Sequence, residues 1–300
     1  TSAAAAAAAA LARGGFAPLL QQQAASPVFT PIRRNVGYFT MRGGTIGYLV
    51  DPRAVVVVDS QFPPEAKACL DGLNQRSNNR PVDFLINTHH HGDHSNGNIS
   101  FKGVAKKVVA HAKAAEHMKA PPGQPAPTTE LLFPDTTFTE TWTADAGDEK
   151  IRAKFYGRAH TSGDVVITFE RANVAHMGDL MFNQRHPVVD RAAGATLRGW
   201  MNVIDRAVKD HTNDTIYIFG HGNTGLPVTG SGGDVLKFTD YLGSLLMFVE
   251  AQVKAGKTRD EILAMRDPLA GFEGFGRFGA AGARDPLTCA YEEVTTPGGV

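Results

Sequence analysis

Short apolar runs of strand length alternate along this chain with amphipathic stretches of helical length, and turn residues mark the joins. Residues 38–41 and 45–50 flank Arg42-Gly43-Gly44 and read as a strand pair around a turn. Residues 54–59 carry four valines and read as a buried strand ending at Asp59-Ser60. A helix is predicted over 63–75, with proline at its start where the missing N–H costs nothing. Strands are expected at 82–87 and 106–110, a helix at 112–119, and a proline-rich loop over 121–127. Further strand-like runs fall near 136–142, 151–156, 165–169, 173–174 and 215–219. Helices are expected at 196–209 and 238–255. A last short helix opens at Thr258, whose N-cap is completed as a capping box by Glu261. The glycine- and phenylalanine-rich stretch 270–282 reads as irregular. No internal repeat is evident, and the alternation predicts one large α/β domain starting near Val28.

Chemistry enters where the strand 82–87 ends. Thr88-His89-His90-His91-Gly92-Asp93-His94 follows at once and puts His89, His91, Asp93 and His94 within six positions, at the sheet edge where α/β proteins place ligands. Imidazole with carboxylate suits zinc and other borderline divalent ions, and an all-thiolate structural site is excluded. Three later segments repeat the arrangement of strand, glycine and ligand-type residue. They are Gly157-Arg158-Ala159-His160-Thr161-Ser162-Gly163-Asp164 before strand 165–169, Ala175-His176-Met177-Gly178-Asp179 after 173–174, and Gly220-His221-Gly222 after 215–219. Glycine lets the backbone turn tightly around a crowded centre.

On these four motifs, in this order and over residues 35–265, the chain resembles the metallo-β-lactamase-fold superfamily. The resemblance implies a four-layer αββα sandwich. It implies one metal on His89, His91 and His160, a second on Asp93, His94 and His221, and Asp179 bridging both. Two Zn2+ are expected, with iron or manganese as alternatives. The implied reaction is hydrolysis of a small ester, thioester, lactone or amide, β-lactams included, by a metal-bridging hydroxide. Asp93 would be catalytic as well as a ligand, orienting that hydroxide and passing its proton to the leaving group. Flavodiiron relatives carry a carboxylate where this chain keeps His91, which argues against them. An iron-dependent sulfur dioxygenase and a non-catalytic periplasmic metal-binding accessory protein are the other readings. Substrate groups are expected around Phe39, Phe62, Phe182, Asn183, Arg185, His186 and Asn223, with Tyr38, Phe39 and Met41 as a flap. Phe182 stands three residues past the bridging position, where lactonase relatives have tyrosine and one β-lactamase group has lysine, and it cannot donate a hydrogen bond. Among the other histidines, strand alternation turns His90 away from its neighbours. His111, His117 and His211 read as surface or capping groups, and His176 as a support behind the metals.

Charge narrows the partners. Lys plus Arg equals Asp plus Glu at 30 each, and no basic stripe appears, so nucleic acid is not expected and a small-molecule substrate is. Cys69 and Cys289 fall at no metal-binding spacing, and a disulfide between them stays open. Residues 3–10 are consecutive alanines, and 1–27 read as the remnant of an export signal, of twin-arginine type, plus a linker. That run is too short to span a bilayer, so no stable membrane insertion and a periplasmic or secreted protein are expected.

Overall fold

The computed structural model describes residues 26–123, 125 and 127–296. The alanine run read as an export signal lies outside the described residues. The first sheet is formed by β1 (Val28–Arg33), β2 (Val36–Thr40), β3 (Ile46–Asp51), β4 (Ala54–Val58), β5 (Val82–Asn87), β6 (Ala105–His111) and β7 (Thr136–Phe138), in that order. Its first four strands are antiparallel hairpin neighbours, and β4 to β7 run parallel. The parallel steps need crossovers. These are α1 (Pro63–Ser77) between β4 and β5, and α2 (Gly92–Ser95) with a following 3-10 turn between β5 and β6; α3 (Ala112–Lys119) lies between β6 and β7.

The chain then builds β8 (Thr141–Ala146), β9 (Glu149–Phe155), β10 (Val165–Phe169), β11 (Val174–His176), β12 (Phe182–Asn183), β13 (Ile216–Ile218), β14 (His221–Gly222) and β15 (Thr229–Gly230). The second sheet has the order β15-β13-β11-β10-β9-β8, while β12 and β14 pair separately and set Phe182 opposite His221. The later helices are α4 (Leu197–Lys209), α5 (Gly232–Lys254), α6 (Arg259–Leu263) and α7 (Pro286–Thr295).

Period-two alternation sorts the side chains into layers. In β4, Val56 and Val58 face the second sheet, where they meet Ile151, Val165, Ile167 and Phe169. Their neighbours Val55 and Val57 face the other way, onto Cys69, Leu70 and Leu73 of α1. In β10 the pattern is mirrored: Val166 turns outward to a third cluster with Trp200 and Phe238 from α4 and α5. Each fully buried aliphatic or aromatic side chain contributes about 1.5–3 kcal/mol of transfer free energy, so both faces of each sheet hold a helix or a sheet against them. This is the αββα sandwich. No helix among the described residues is long and apolar enough to cross a membrane.

Beyond β1, α2 and the short strands β12, β14 and β15, which the pattern did not mark, the elements depart from it at four places. The run 136–142 is two strands, with β7 in the first sheet and β8 in the second, and residues between them carry the chain across. His176 closes β11 instead of following it. Helix α5 starts at Gly232, not 238, because Ser231 and Asp234 form a reciprocal capping box around two glycines that disguise the first turn. Helix α7, capped by Asp285 with Pro286 in its first turn, follows the irregular stretch and has no forerunner in the sequence reading.

Candidate metal centre

The centre lies at one edge of the sandwich, where β4, β5, β11 and β13 end and the loop before β10 begins. Asp59, one residue past β4, is fully buried in the left-handed region at φ 64°. Its Oδ1 accepts the Thr88 N–H at 2.8 Å, and its Oδ2 accepts the Thr88 hydroxyl and His94 Nδ1–H, each at 2.7 Å. One carboxylate thus joins the ends of β4 and β5 and sets the ring of His94.

Three more imidazoles are oriented the same way. His89 Nδ1–H donates to the Thr88 hydroxyl at 3.0 Å, His91 Nε2–H to Asp190 at 2.8 Å, and His160 Nδ1–H to the Val188 carbonyl at 2.8 Å. A proton committed on one ring nitrogen leaves the other as a lone pair, which is how proteins prepare histidine for a metal. The freed atoms are His89 Nε2, His91 Nδ1, His160 Nε2 and His94 Nε2. His221 is the exception, since its Nδ1 lies 3.4 Å from the Arg185 guanidinium, a donor rather than an acceptor.

These atoms form two groups. His89, His91, His160 and Asp179 offer ligand atoms all within 4.8 Å of one another, and so do Asp93, His94 and His221. His91 Nδ1 and His160 Nε2 face each other at 2.9 Å. Asp179 Oδ2 lies 3.8 Å from His89 Nε2 and 3.5 Å from His160 Nε2. Its Oδ1 lies 3.0 Å from His94 Nε2 and 3.3 Å from His221 Nε2. One oxygen of Asp179 therefore addresses each group. Asp93 Oδ2 is 3.1 Å from His221 Nε2.

The donors fit a pair of divalent cations. His89 Nε2 and Asp179 Oδ1 are buried with no hydrogen-bond partner among the described residues, a cost that native interiors rarely leave uncompensated. Burial, reinforced by neighbouring imidazoles, holds His89 well below its ordinary value and His160 at about 3, so both are neutral and ligand-ready. Burial works against ionisation of Asp93 and Asp179 too. The facing imidazoles prevail, keeping Asp93 at about 2 and Asp179 well below the usual carboxylate range. Those carboxylates in turn raise His94 and His221 against the effect of burial. Bound cations would take over that charge balance. The backbone leaves little slack, because a Cβ on Gly44 would overlap the His94 ring and one on Gly220 would overlap Asp179 Oδ1.

The sequence profile of the metallo-beta-lactamase superfamily matches residues 40–266, which hold all these ligands and most of the sandwich. This chain belongs to that superfamily. It is 28% identical over 178 residues to metallo-beta-lactamase IND-1 of Chryseobacterium indologenes, covering 58% of this chain and 70% of that protein. It is 23% identical over 202 residues to a type 2 metallo-beta-lactamase of Bacillus cereus, covering 65% and 73%. Among solved structures, metallo-beta-lactamase IND-7 superposes with a TM-score of 0.59 at 23% identity, covering 72% of this chain and 98% of that one. A metallo-beta-lactamase from Pontibacter korlensis gives 0.58 at 19%, covering 73% and 99%. At those identities the superpositions speak for the fold. Superfamily membership together with the two His/Asp clusters supports a metal-dependent hydrolase.

Of the residues expected around the substrate, Phe182 and Arg185 reach the superfamily's metal centre. The Phe182 ring stacks on His221 at 5.3 Å, and Arg185 stands beside the same imidazole. Arg185 and His221 share a groove of about 830 Å³ with Tyr38, Met41, Arg42 and Gln61. Asn183 and Asn223 face their neighbours instead: the first bonds the Pro227 carbonyl, and the second accepts the Thr224 N–H within its own turn. Phe39 is corrected from flap to core, because β2 turns it inward beneath α1 with Ile46 and Val57. Phe62 precedes α1 and lies under the Arg42 guanidinium. His186 bonds the Tyr241 hydroxyl and stacks on Phe278, so it secures the C-terminal segment.

His111 is not a surface group, since it is buried, stacks on Phe155 and caps α3. His117 is half-buried and bonds Ser162, and its ring packs against His90. His211 bonds Thr168 and the Ala207 carbonyl. His176 donates to Thr45 O and accepts the Gly178 N–H, stitching the two sheets behind Asp179. Sequence reasoning missed Asp59, Asp190 and the Val188 carbonyl as orienting groups. Asp59 carried a signal, an acid closing an all-valine strand. Asp190 carried none, lying 99 residues from the histidine it serves.

Proposed function

We propose that this protein is a di-zinc hydrolase of a small carbonyl substrate, an ester, thioester, lactone or amide, with β-lactams in range. The observation that carries this is Asp179, which offers one oxygen to each of two ligand groups beside an open groove. His89, His91 and His160 would hold one metal and Asp93, His94 and His221 the other. When bound, the pair supplies Lewis acidity and a water whose pKa is brought toward neutrality.

The chain's own residues do the remainder. Asp93 is the most exposed carboxylate of the set, its side chain 31% accessible against 4% for Asp179. It is ionised, so it can take a proton and return it to a leaving group. Arg185 places a cation at the groove beside His221 and can anchor an anionic substituent of the substrate, a role that Phe182 cannot fill. Phe182 offers instead an apolar wall against the metal-side imidazole. The alanine-rich residues 3–10 support a site of action outside the cytoplasm, which fractionation of expressing cells checks.

The decisive experiment combines metal analysis of the purified protein with a panel of esters, thioesters, lactones and β-lactams. Two zinc equivalents and turnover of at least one class are expected. A zinc-loaded protein that cleaves no member of the panel would defeat the proposal. A single iron with oxygen uptake on a persulfide would replace it with the dioxygenase reading.

A further inference from the structure

The segment after residue 266 lies beyond the superfamily match, yet it returns to the centre. The Arg284 guanidinium, in the approach to α7, pairs with Asp190, whose side chain is 1% exposed and accepts His91 Nε2–H at 2.8 Å. The backbone supports the same contact. Val189 N–H donates to the Arg284 carbonyl at 2.9 Å, and the Cys289 thiol points at the Val189 carbonyl. The adjacent Val188 carbonyl is the acceptor that orients His160. Farther along α7, buried Glu293 accepts the Leu197 and Arg198 N–H groups at 2.8 and 2.9 Å and so caps α4. Thr196, at that cap, bonds the carbonyl of Ala159 beside His160. Two of the three histidines in one group are thus aimed by a loop that the C-terminal segment clamps. His94, in the other group, is aimed by Asp59 and has no tie to that segment among the described residues.

We propose that Arg284 is a positioning residue for the three-histidine cluster: by holding the Asp190 carboxylate in place it fixes His91 and sets the affinity of that cluster, selectively, for a divalent metal. The physical reason is that a carboxylate buried beside a guanidinium has one favourable orientation. Without the cation the carboxylate keeps only the Ala193 N–H at its Oδ1 and can turn its Oδ2 away from His91, which then loses the acceptor that holds its ring and tautomer. Loss of such an outer partner costs metal sites about 10- to 100-fold in affinity.

This rests on the two-metal reading, and the test keeps the two apart. Metal-free full-length protein is titrated with Co2+ while its visible spectrum is followed, in the wild type and in a His221→Ala background where only the three-histidine cluster is intact. Arg284→Gln should weaken that cluster by about 10-fold or more in both backgrounds, leave the other cluster unchanged, and be largely rescued by Arg284→Lys. Thr258→Ala, which removes a remote helix cap, controls for general destabilisation and should change neither affinity. Wild-type affinity retained in Arg284→Gln, or equal weakening of both clusters, overturns the inference while the hydrolase reading stands. A wild type that takes up no metal removes both.

Discussion

Asp59 holds three donors from a backbone conformation that few side chains adopt, and this makes it the residue on which the second ligand group depends. Truncation to alanine strands the Thr88 N–H and hydroxyl and the His94 Nδ1–H in a dry interior, and each unsatisfied group costs about 1–3 kcal/mol. Asp59→Ala should therefore lose about 3 kcal/mol or more in urea unfolding, and with it the metal of the Asp93, His94 and His221 group. Asp59→Asn tolerates the left-handed backbone and regains much of the stability, but its amide repels His94 Nδ1–H, so the metal should stay lost. Asp164 gives the pH dependence. Burial raises it from 3.8 to about 6 while it accepts the Thr161 N–H and hydroxyl. The folded state holds this proton more tightly than the unfolded chain. The stabilisation is complete below pH 3.8 and is lost as pH rises through about 6, an effect of about 3 kcal/mol. Buried histidines such as His160, held at about 3, act with the opposite sign over this range, so the contribution is read as a difference: the stability of metal-free wild type relative to Asp164→Asn should decline between pH 4 and 6.

At the scale of elements, the two thiols report which layers are sealed. Cys69 lies on α1 in the cluster beneath the first sheet, and Cys289 on α7 in the cluster outside the second. Both are free and buried, with the sandwich between them, which settles against a disulfide joining them. Burial raises both thiols, Cys289 to about 12, so neither offers thiolate at neutral pH. Native protein should resist a thiol reagent, and both cysteines should react on unfolding. Rapid labelling of Cys289 alone in the folded state would show that α7 opens independently of the sandwich. The glycine-led start of α5 and the whole of α7 escaped the hydrophobic pattern because caps supplied by Ser231, Asp234 and Asp285 define them.

For the whole molecule, the centre is a set of opposed demands: imidazoles and carboxylates from four segments are held in contact by the packing of two sheets. A cation that binds only the folded arrangement adds about 4 kcal/mol when present at a thousand times its dissociation constant. Stripping the metal with a chelator should lower the melting temperature by roughly 10 °C, and Zn2+ should restore it. A melting temperature indifferent to chelation would mean that the two ligand groups bind no metal that matters to the fold.

The chain order of apolar runs determined most strands, most helices and the α/β class, because burial on both faces of a sheet writes a continuous hydrophobic run that few other structures require, and the motifs' resemblance to a known superfamily added the αββα layering. The motifs after 82–87, 173–174 and 215–219 likewise placed the ligand-type residues at strand ends, where backbone turns bring them to one edge. Local pattern carries no information about side chains that meet from far apart in the chain. Asp190 behind His91, Arg284 behind Asp190, and Phe39 turned into the core instead of the groove were decided by how the two sheets and the C-terminal segment pack. The sequence by itself determined which residues can bind metal; only the tertiary structure decided which of their nitrogens face inward and what holds them there.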